Sequence, residues 1–287
     1  MNLIYEDHDI TEYVNITKCV CRDVSCGRAD SMELEFDHAA VWYSWGPKED
    51  DTIAASLDGF STGKMYLNAI QPEGDKFRMI ATALPSAARR KAWASFRDMT
   101  LEAIMQRCAA EIGMDAKLYG VDGNVKYPFL LRENEGCAAF LDRIGRWEGL
   151  AIKAANGAMR AVSVDYAQGL EAVQSLWIDT NQEGVTYSRL ENKKISALTV
   201  LSPSARVMAS DSGATYGNAM TISGLPVDDA VQAGRWARGL LLMHNRQQER
   251  LTIRGQFNPA MCAMQRVDID GTTDANGAWL VDEAEHD

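Results

Sequence analysis

The segments of this sequence that resemble chemical motifs each lack a residue that the chemistry needs. The segment GFSTGKM, at 59–65, is close to a phosphate-binding loop, but three residues rather than four separate its glycines, and Met65 stands where a metal-binding hydroxyl belongs. The segment DIDGTTDANGAW, at 268–279, is close to a calcium loop, but Thr273 replaces the sharp-turn glycine and Trp279 replaces the bidentate acid. Both segments are therefore predicted to be turns between strands.

Other nucleophiles and metal ligands lack the spacing that would join them in a site. The segment GATYG, at 213–217, places Thr215 as in a nucleophile elbow, but it connects two predicted strands rather than a strand and a helix. Cys19 and Cys21 share one face of a predicted strand, and no second ligand pair has finger-like spacing. The four histidines lie far apart, at positions 8, 38, 244 and 286. We therefore predict no catalytic residue, no cofactor and no metal.

Paired carboxylates suggest glycosidase chemistry only where a cleft holds them. Two pairs that are close in sequence, Glu133/Glu135 and Asp228/Asp229, lie at the predicted starts of helices, where the helix dipole stabilises acidic residues. We interpret them as solvated helix starts.

Charge and composition disfavour several classes of function. The 287 residues include 29 basic and 40 acidic side chains, a formal net charge of −11, which disfavours an extended grip on nucleic acid. The longest apolar run, LLLM, is too short to span a bilayer, and the acidic N-terminus does not resemble a secretion signal. The six cysteines are accordingly expected to be reduced and mostly buried in a soluble protein.

The N-terminal 86 residues are predicted to form an antiparallel β-unit. The segment SMELEFD alternates Met32, Leu34 and Phe36 with polar residues, which is typical of a strand with one buried face. The segment KMYLNAIQPEGDKFRMIATAL predicts two strands around a Pro-Glu-Gly-Asp turn.

Two amphipathic helices follow, in 96–114 and 134–152. Thr100 and Asn134 are predicted N-caps, each helix carries one apolar stripe, and Gly113 and Gly149 are placed to end the helices. The stripes are predicted to pack on each other and on short strands, including a hairpin that turns at 156–157. From about 170 the strand pattern returns, with one more helix near 226–245 and at least three strands after it.

The order of these elements resembles one known family. The carrying segments are DGFSTGKMYLNAIQPEGDKFRMIATAL, TLEAIMQRCAAEIGMDAKLYG, NEGCAAFLDRIGRWEGLAI and the closing AWLVDEAEHD, with Val281 and His286 spaced as in the family's last strand. They resemble the late control gene D proteins, the baseplate hub proteins of contractile-tailed phages. Relatives of that family include the N-terminal part of type VI secretion spike proteins.

The resemblance implies an α+β, mainly β fold with two tail-tube-like β-barrel domains and a helical α+β insertion. The first barrel would occupy 1–86, with strands from 166–200 as candidates to complete it. The insertion would occupy 87–165, and the second barrel 166–287, with its helix near 226–245.

The resemblance also implies a structural role without catalysis. Three copies would form a ring of six barrels that adapts a sixfold tail tube to a threefold central spike, in the baseplate of a virion assembled in the bacterial cytoplasm. Its partners would be further copies of itself, a tail tube or tube initiator protein, the central spike, the tape measure protein and the baseplate wedges. It would contact no membrane, and DNA would only pass through the lumen, where acidic walls repel phosphate.

The helical insertion would lie on the outside of this ring. Five residues are candidates for outer-face or inter-subunit contacts: Arg107, Glu111, Arg143, Arg146 and Trp147.

Three alternatives to the trimeric hub stay open, namely a sixfold tail tube-like adaptor, a hub with cell-wall hydrolase activity, and a small-molecule-binding β-domain.

Overall fold

The computed structural model describes residues 1–179, 181–190, 194–213, 217–271 and 273–287. Thr215, the centre of the elbow-like segment, lies outside the described residues, as does the side chain of Thr273. The protein is mainly β with a few helices, as the sequence predicts.

Short strands and a few helices alternate along the chain. The first 86 residues contain β1 (Asn2–Tyr5), β2 (His8–Asp9), β3 (Asn15–Val24), β4 (Ser31–Asp37), α1 (Ala40–Trp45), β5 (Thr52–Leu57), β6 (Phe60–Ser61), β7 (Met65–Glu73) and β8 (Lys76–Thr82). Then come β9 (Ala92–Thr100), α2 (Leu101–Glu111), β10 (Asp115–Tyr119), β11 (Lys126–Glu135), α3 (Cys137–Glu148), β12 (Leu150–Ala155), β13 (Ala158–Ser163) and α4 (Val164–Gly169). The rest comprises β14 (Gln174–Ile178), β15 (Val185–Arg189), β16 (Ala197–Leu201), β17 (Arg206–Ser210), β18 (Ala219–Ser223), α5 (Ala230–Asn245), β19 (Glu249–Ile253), β20 (Arg266–Gly271), β21 (Gly277–Leu280) and β22 (Glu283–His286).

One large antiparallel sheet dominates the N-terminal part. Its strands run in the order β2-β1-β5-β7-β8-β4-β3-β22, and β6 pairs with β5. Met32, Leu34 and Phe36 point inward from β4 and are fully buried, as their alternation predicts. Trp42 of α1 fills the interior and packs on Phe36, with a ring-centroid distance of 4.7 Å.

The sheet rolls up so that its two ends meet. Phe60 of β6 lies near the β1 end of the strand order and contacts His286 of β22, at the other end, with ring centroids 4.4 Å apart. Phe257 packs against both rings, at 6.2 and 5.3 Å. Among the described residues, side chains rather than a backbone ladder therefore bring the two ends together.

The strand at the β3 edge of this sheet is β22, the last strand of the chain. This corrects the prediction that strands from 166–200 complete the sheet, and it also places the closing strand in the first β-unit rather than the second. Pairing between strands more than 250 residues apart leaves no trace in local sequence, because periodicity reports only which face of a strand is buried.

The segment 87–165 contains the two predicted helices and the predicted short strands, together with two longer strands, β9 and β11, that the sequence analysis does not predict. Strands β9 and β11 form an antiparallel ribbon, and β10 and β12 flank β13 in a second small sheet. Thr100 caps α2 as predicted, because its hydroxyl accepts a hydrogen bond from the Ala103 amide at 3.2 Å. Gly149 ends α3 with a φ of 72°, and the 156–157 turn also has positive φ at both residues.

Asn134 is not the N-cap of α3, which corrects that prediction. Asn134 lies within β11, and Gly136 precedes the helix in extended geometry. A Cβ atom at Gly136 would come within 2.5 Å of the Ala88 carbonyl oxygen. The close approach of the 86–89 turn therefore requires glycine at this position.

Apart from β22, the strands from β14 onward form three separate ladders in the part of the chain that is described. The ladders are β14-β20-β21, β15-β19 and β17-β16-β18. Helix α5 packs on β16 and β17, where Leu198 and Val200 join the main core. Ile178, Val267 and Ile269 belong to a smaller core of their own.

Helix α5 begins three to four residues later than the pattern suggests. Asp229 is its N-cap and accepts a hydrogen bond from the Gln232 amide at 2.7 Å, while the Gln232 side chain accepts one from the Asp228 amide at 2.7 Å. This reciprocal arrangement satisfies amides that a helix start leaves unpaired. Asp229 therefore lies before the first turn rather than within it.

Candidate functional site

The polar side chains whose surroundings differ most from those of an ordinary solvated surface lie where the large sheet, the helices and the C-terminal strands meet. Among the described residues, no group of three or more His, Cys, Asp or Glu side chains is arranged to hold a metal ion. Within the same ranges, no helix is both long enough and apolar enough to cross a bilayer. The buried polar contacts instead connect the large sheet, the insertion and α5.

The first junction is centred on Lys153 of β12. Its ammonium group donates to both carboxylate oxygens of Asp30 at 2.7 Å, to Asp23 of β3, and to the Val24 carbonyl at 2.8 Å. Asp23 also accepts a hydrogen bond from the Ala263 amide at 2.8 Å. One largely buried cation thus ties the large sheet to the insertion and to the segment that precedes β20.

Burial also changes the acidity of this junction. Desolvation, with a contribution from the negative charge of Asp23, raises the pKa of Asp30 to about 6, although Lys153 acts in the opposite direction. Two carboxylates share one ammonium group, so one negative charge remains uncompensated when both are ionised.

The second junction is centred on Glu148, the last residue of α3. A carboxylate at this end of a helix faces the negative end of the dipole and needs strong donors. Glu148 accepts hydrogen bonds from the Trp236 indole at 2.7 Å, from Tyr127 at 2.9 Å, and from Arg235 at 3.1 and 3.2 Å. These contacts fix α3 on α5, and burial raises the pKa of the Tyr127 phenol.

The same two helices also touch through their backbones. A Cβ atom at Gly239 of α5 would lie 2.3 Å from the Trp147 carbonyl oxygen and 2.4 Å from the Gly149 nitrogen. The Trp147 and Trp236 rings lie beside this contact with centroids 4.5 Å apart. Only glycine at 239 permits this spacing.

The third junction ties the end of α5 to the segment before β22. Arg246 donates to Asp282 at 2.6 Å and to the Ser25 hydroxyl at 2.9 Å. The Ser25 amide donates to the Asp282 carbonyl at 2.8 Å, which extends the ladder between β3 and β22. Together the three junctions join segments that are distant in sequence into a single packed body.

The five predicted contact residues have different environments. Arg107 and Arg146 are exposed; Arg107 lies over the Phe96 ring at 4.8 Å, and Arg146 pairs with Asp142 at 2.9 Å. Glu111 is partly exposed and pairs with the buried Arg132 at 2.7 Å. Arg143 is half-buried between Glu135 and the rings of Phe140 and Trp147.

Trp147 does not lie on an outer face, which corrects the prediction for that residue. It is 8% exposed and packs against Trp236. Trp147 belongs to the apolar stripe of α3. A single sequence does not show that α5 also covers this side of the helix. Trp147 therefore stabilises the fold of one chain.

Sequence reasoning missed the three junctions and one exposed surface. Lys153 and Glu148 have partners up to 130 and 88 residues away, and no local pattern links them. The outer face of the β9–β11 ribbon carries Trp93 and Phe129, both exposed. The sequence signal for this surface is Trp93, an aromatic residue at one of the positions in KAWASFR that alternation places on the outer face.

Comparisons with known proteins identify the fold. No protein-family model and no curated protein sequence matches the chain. A tail protein of Neisseria meningitidis is similar in structure, with a TM-score of 0.74 and 12% identity, over 99% of this chain and 90% of that one. The 43 kDa tail protein of prophage MuSo2 from Shewanella oneidensis has a TM-score of 0.70 and 13% identity, over 99% and 92%.

A third similar structure comes from a secretion system. The E. coli c3393 protein, a component of the type VI secretion system, has a TM-score of 0.58 and 13% identity, over 95% of this chain and 69% of that one. At these identities the likeness shows a shared fold. The chain therefore has the mainly β, α+β fold found in phage tail proteins and in a type VI secretion component.

Proposed function

We propose that this chain is a structural hub protein in the baseplate of a contractile phage tail or a related injection system. The observation that carries the proposal is the likeness to two phage tail proteins over 99% of this chain and at least 90% of theirs. The sequence resemblance to late control gene D proteins supports the same role.

In this role three copies form a ring around the tail axis. Each copy would contribute the rolled N-terminal sheet and the C-terminal strands as two quasi-equivalent units, with the helical insertion outside. Six such units would match the sixfold tube above, and three chains would match the threefold spike below. The buried junctions at Lys153, Glu148 and Arg246 support this proposal, because they hold the parts of one chain in a fixed relation.

The partners would follow from this position. The tail tube or tube initiator would contact one end of the ring and the central spike the other, with wedge proteins outside and the tape measure protein inside. A net charge of −11 favours a lumen through which DNA passes without binding, since like charges repel. The particle would be assembled in the bacterial cytoplasm.

Ring stoichiometry tests the proposal. Native mass spectrometry of the purified chain and image averages of the assembled tail should give three chains of 31.7 kDa each, located between tube and spike. Six copies per ring would indicate the tube-like adaptor instead. A chain that stays monomeric at high concentration and in the tail would refute the ring, and cell-wall clearing on a zymogram would refute a purely structural role.

A further inference from the structure

The ribbon of β9 and β11 has one buried face and one open face. Phe96 and Leu130 lie directly opposite each other and are buried, and Phe96 stacks on Phe140 of α3 with centroids 4.8 Å apart. The next cross-strand pair, Arg97 and Phe129, points to the other side, because neighbouring residues of a strand alternate between faces. The helices thus support the ribbon from within and leave its outer face uncovered.

The outer face is aromatic and cationic. Trp93 is 69% exposed and Phe129 is 42% exposed, although the solvated side of an antiparallel pair is ordinarily polar. Arg97 lies over the Phe129 ring at 5.6 Å. Tryptophan and arginine, with tyrosine, are enriched among the residues that contribute most to binding at protein–protein interfaces.

Most cations of this surface form no ion pair with a residue that the structure describes. Segment 89–97, RRKAWASFR, has four basic residues and no acidic one, and of the four only Arg89 has an ion-pair partner among the described residues, Glu49 at 2.6 Å. Arg90, Lys91, Arg97 and Arg107 are exposed, and none of their side chains forms an ion pair with a described residue. Elsewhere Arg22, Arg28 and other surface cations pair with carboxylates.

We propose that the outer face of this ribbon, formed by Trp93, Arg97 and Phe129, together with Lys91 immediately before β9, docks on a carboxylate-rich surface of a second copy of this chain. The proposal rests on the ring described above. The chain has a net charge of −11, and its unpaired cations lie together on this face. This face is therefore electrostatically complementary to the remaining surface of another copy of the chain.

The charge distribution also selects the type of contact. A twofold dimer would bring one cationic face against the same face of its partner, and that juxtaposition of like charges is unfavourable. A head-to-tail contact instead places the cationic face against a different, acidic surface, and repetition of such contacts closes a ring. Nucleic acid is the less suitable partner, because its affinity depends on how many phosphates are neutralised and the rest of the chain repels it.

Charge reversal and aromatic truncation test the contact. Lys91→Glu/Arg97→Glu and Trp93→Ala should each raise the concentration at which the ring dissociates by at least roughly tenfold, the effect of removing an interface hot spot. The matched controls are Arg238→Glu/Arg254→Glu, which changes the net charge equally at exposed positions, and Trp177→Ala, at 71% exposure. The controls should stay within about threefold of wild type, as expected of residues outside a hot spot.

Mass photometry over a concentration series gives the readout, and thermal melts confirm that each variant is folded. A ring that persists unchanged in both test variants overturns this contact and leaves the hub proposal standing. A monomeric wild-type chain overturns both. Variants that lose binding to a thymidine 20-mer while self-association is unchanged would assign the surface to nucleic acid and overturn the contact.

Discussion

At the scale of single residues, the cluster of Asp23, Asp30 and Lys153 shows how burial and pairing compete. Removing three charged groups from water costs several kcal/mol per ion, and mutual attraction offsets this only when the charges balance. In this cluster two carboxylates face one ammonium group. At a given pH, Asp30 is therefore protonated to a greater extent than an ordinary aspartate.

The raised pKa of Asp30 predicts a pH dependence with a definite sign. The pKa in the folded protein is about 6, against 3.8 for an ordinary aspartate, so the folded state binds more protons between these pH values. The stability that Asp30 contributes is complete below about pH 4 and is lost as pH rises through about 6, by the linkage of protonation to folding. The loss is on the order of 3 kcal/mol, since the pKa differs by about 2 units between the two states and each unit corresponds to about 1.4 kcal/mol.

Urea unfolding of wild type and Asp30→Asn at pH 4.0, 5.5 and 7.0 measures this effect. Asparagine cannot ionise, and its side-chain oxygen can still accept the Val24 amide that now bonds to Asp30 at 2.9 Å. The free energy of unfolding of wild type relative to the variant should decrease as the pH rises. Parallel pH profiles for the two proteins would rule out a raised pKa at this residue.

Residues whose role is local could be predicted from the sequence, and residues with distant partners could not. Thr100 and Gly149 act within one helical turn, so their residue types predict a cap and a helix end. The sequence pattern predicts that Glu148 is an ordinary surface acid, because the residues that bind it, Arg235 and Trp236, lie 87 and 88 residues away in the sequence. The three junctions are for this reason absent from the sequence prediction.

At the scale of elements, the crossing of α3 and α5 depends on a backbone contact that one methyl group would prevent. Gly239 lies in mid-helix, where glycine is disfavoured by about 1 kcal/mol relative to alanine. Gly234, earlier in the same helix, has more space around it. If residue 234 carried a Cβ atom, its nearest neighbour would be an atom of Val207, at 3.6 Å. Substitution of Gly234 is therefore a control for substitution of Gly239 on the same helix.

Gly239→Ala and Gly234→Ala are expected to change stability in opposite directions. The Gly239 variant must push α3 away from α5 and should lower the free energy of unfolding by roughly 2–3 kcal/mol, a typical cost of overpacking. The Gly234 variant should gain up to about 1 kcal/mol from helix propensity. Urea unfolding followed by circular dichroism measures both, and equal stabilisation of the two variants would contradict the observed helix contact.

Elements with strong periodicity could be predicted well, and their pairing could not. The alternation in β4 and the stripes of α2 and α3 predict which side of each element is buried, because burial of one face fixes the pattern. The predicted start of α3 is wrong because the backbone of the 86–89 turn, and not a side-chain cap, determines where the helix begins. Which strands adjoin depends on contacts that the periodicity does not encode.

At the scale of the whole molecule, the two ends of the chain belong to one sheet. Strand β1 begins at residue 2 and β22 ends at residue 286, and both lie in the large sheet. The sheet can complete its edge only when the rest of the chain has brought β22 to β3. Folding of the first unit is therefore coupled to folding of the last.

Removal of residues 283–287 tests this coupling. The truncated chain loses the β22 ladder and the contacts of His286 with Phe60 and Phe257, and its free energy of unfolding should fall by on the order of 3 kcal/mol, comparable to the loss of a buried aromatic side chain. The control, Glu283→Gln/Glu285→Gln, keeps the strand and removes two exposed ion pairs, with an expected loss of less than about 1 kcal/mol. Because the junctions join the units, far-UV and near-UV circular dichroism should report one transition that shifts as a whole. A truncated chain with unchanged stability, or one in which only part of the signal shifts, would show that the closing strand does not couple the two ends of the chain.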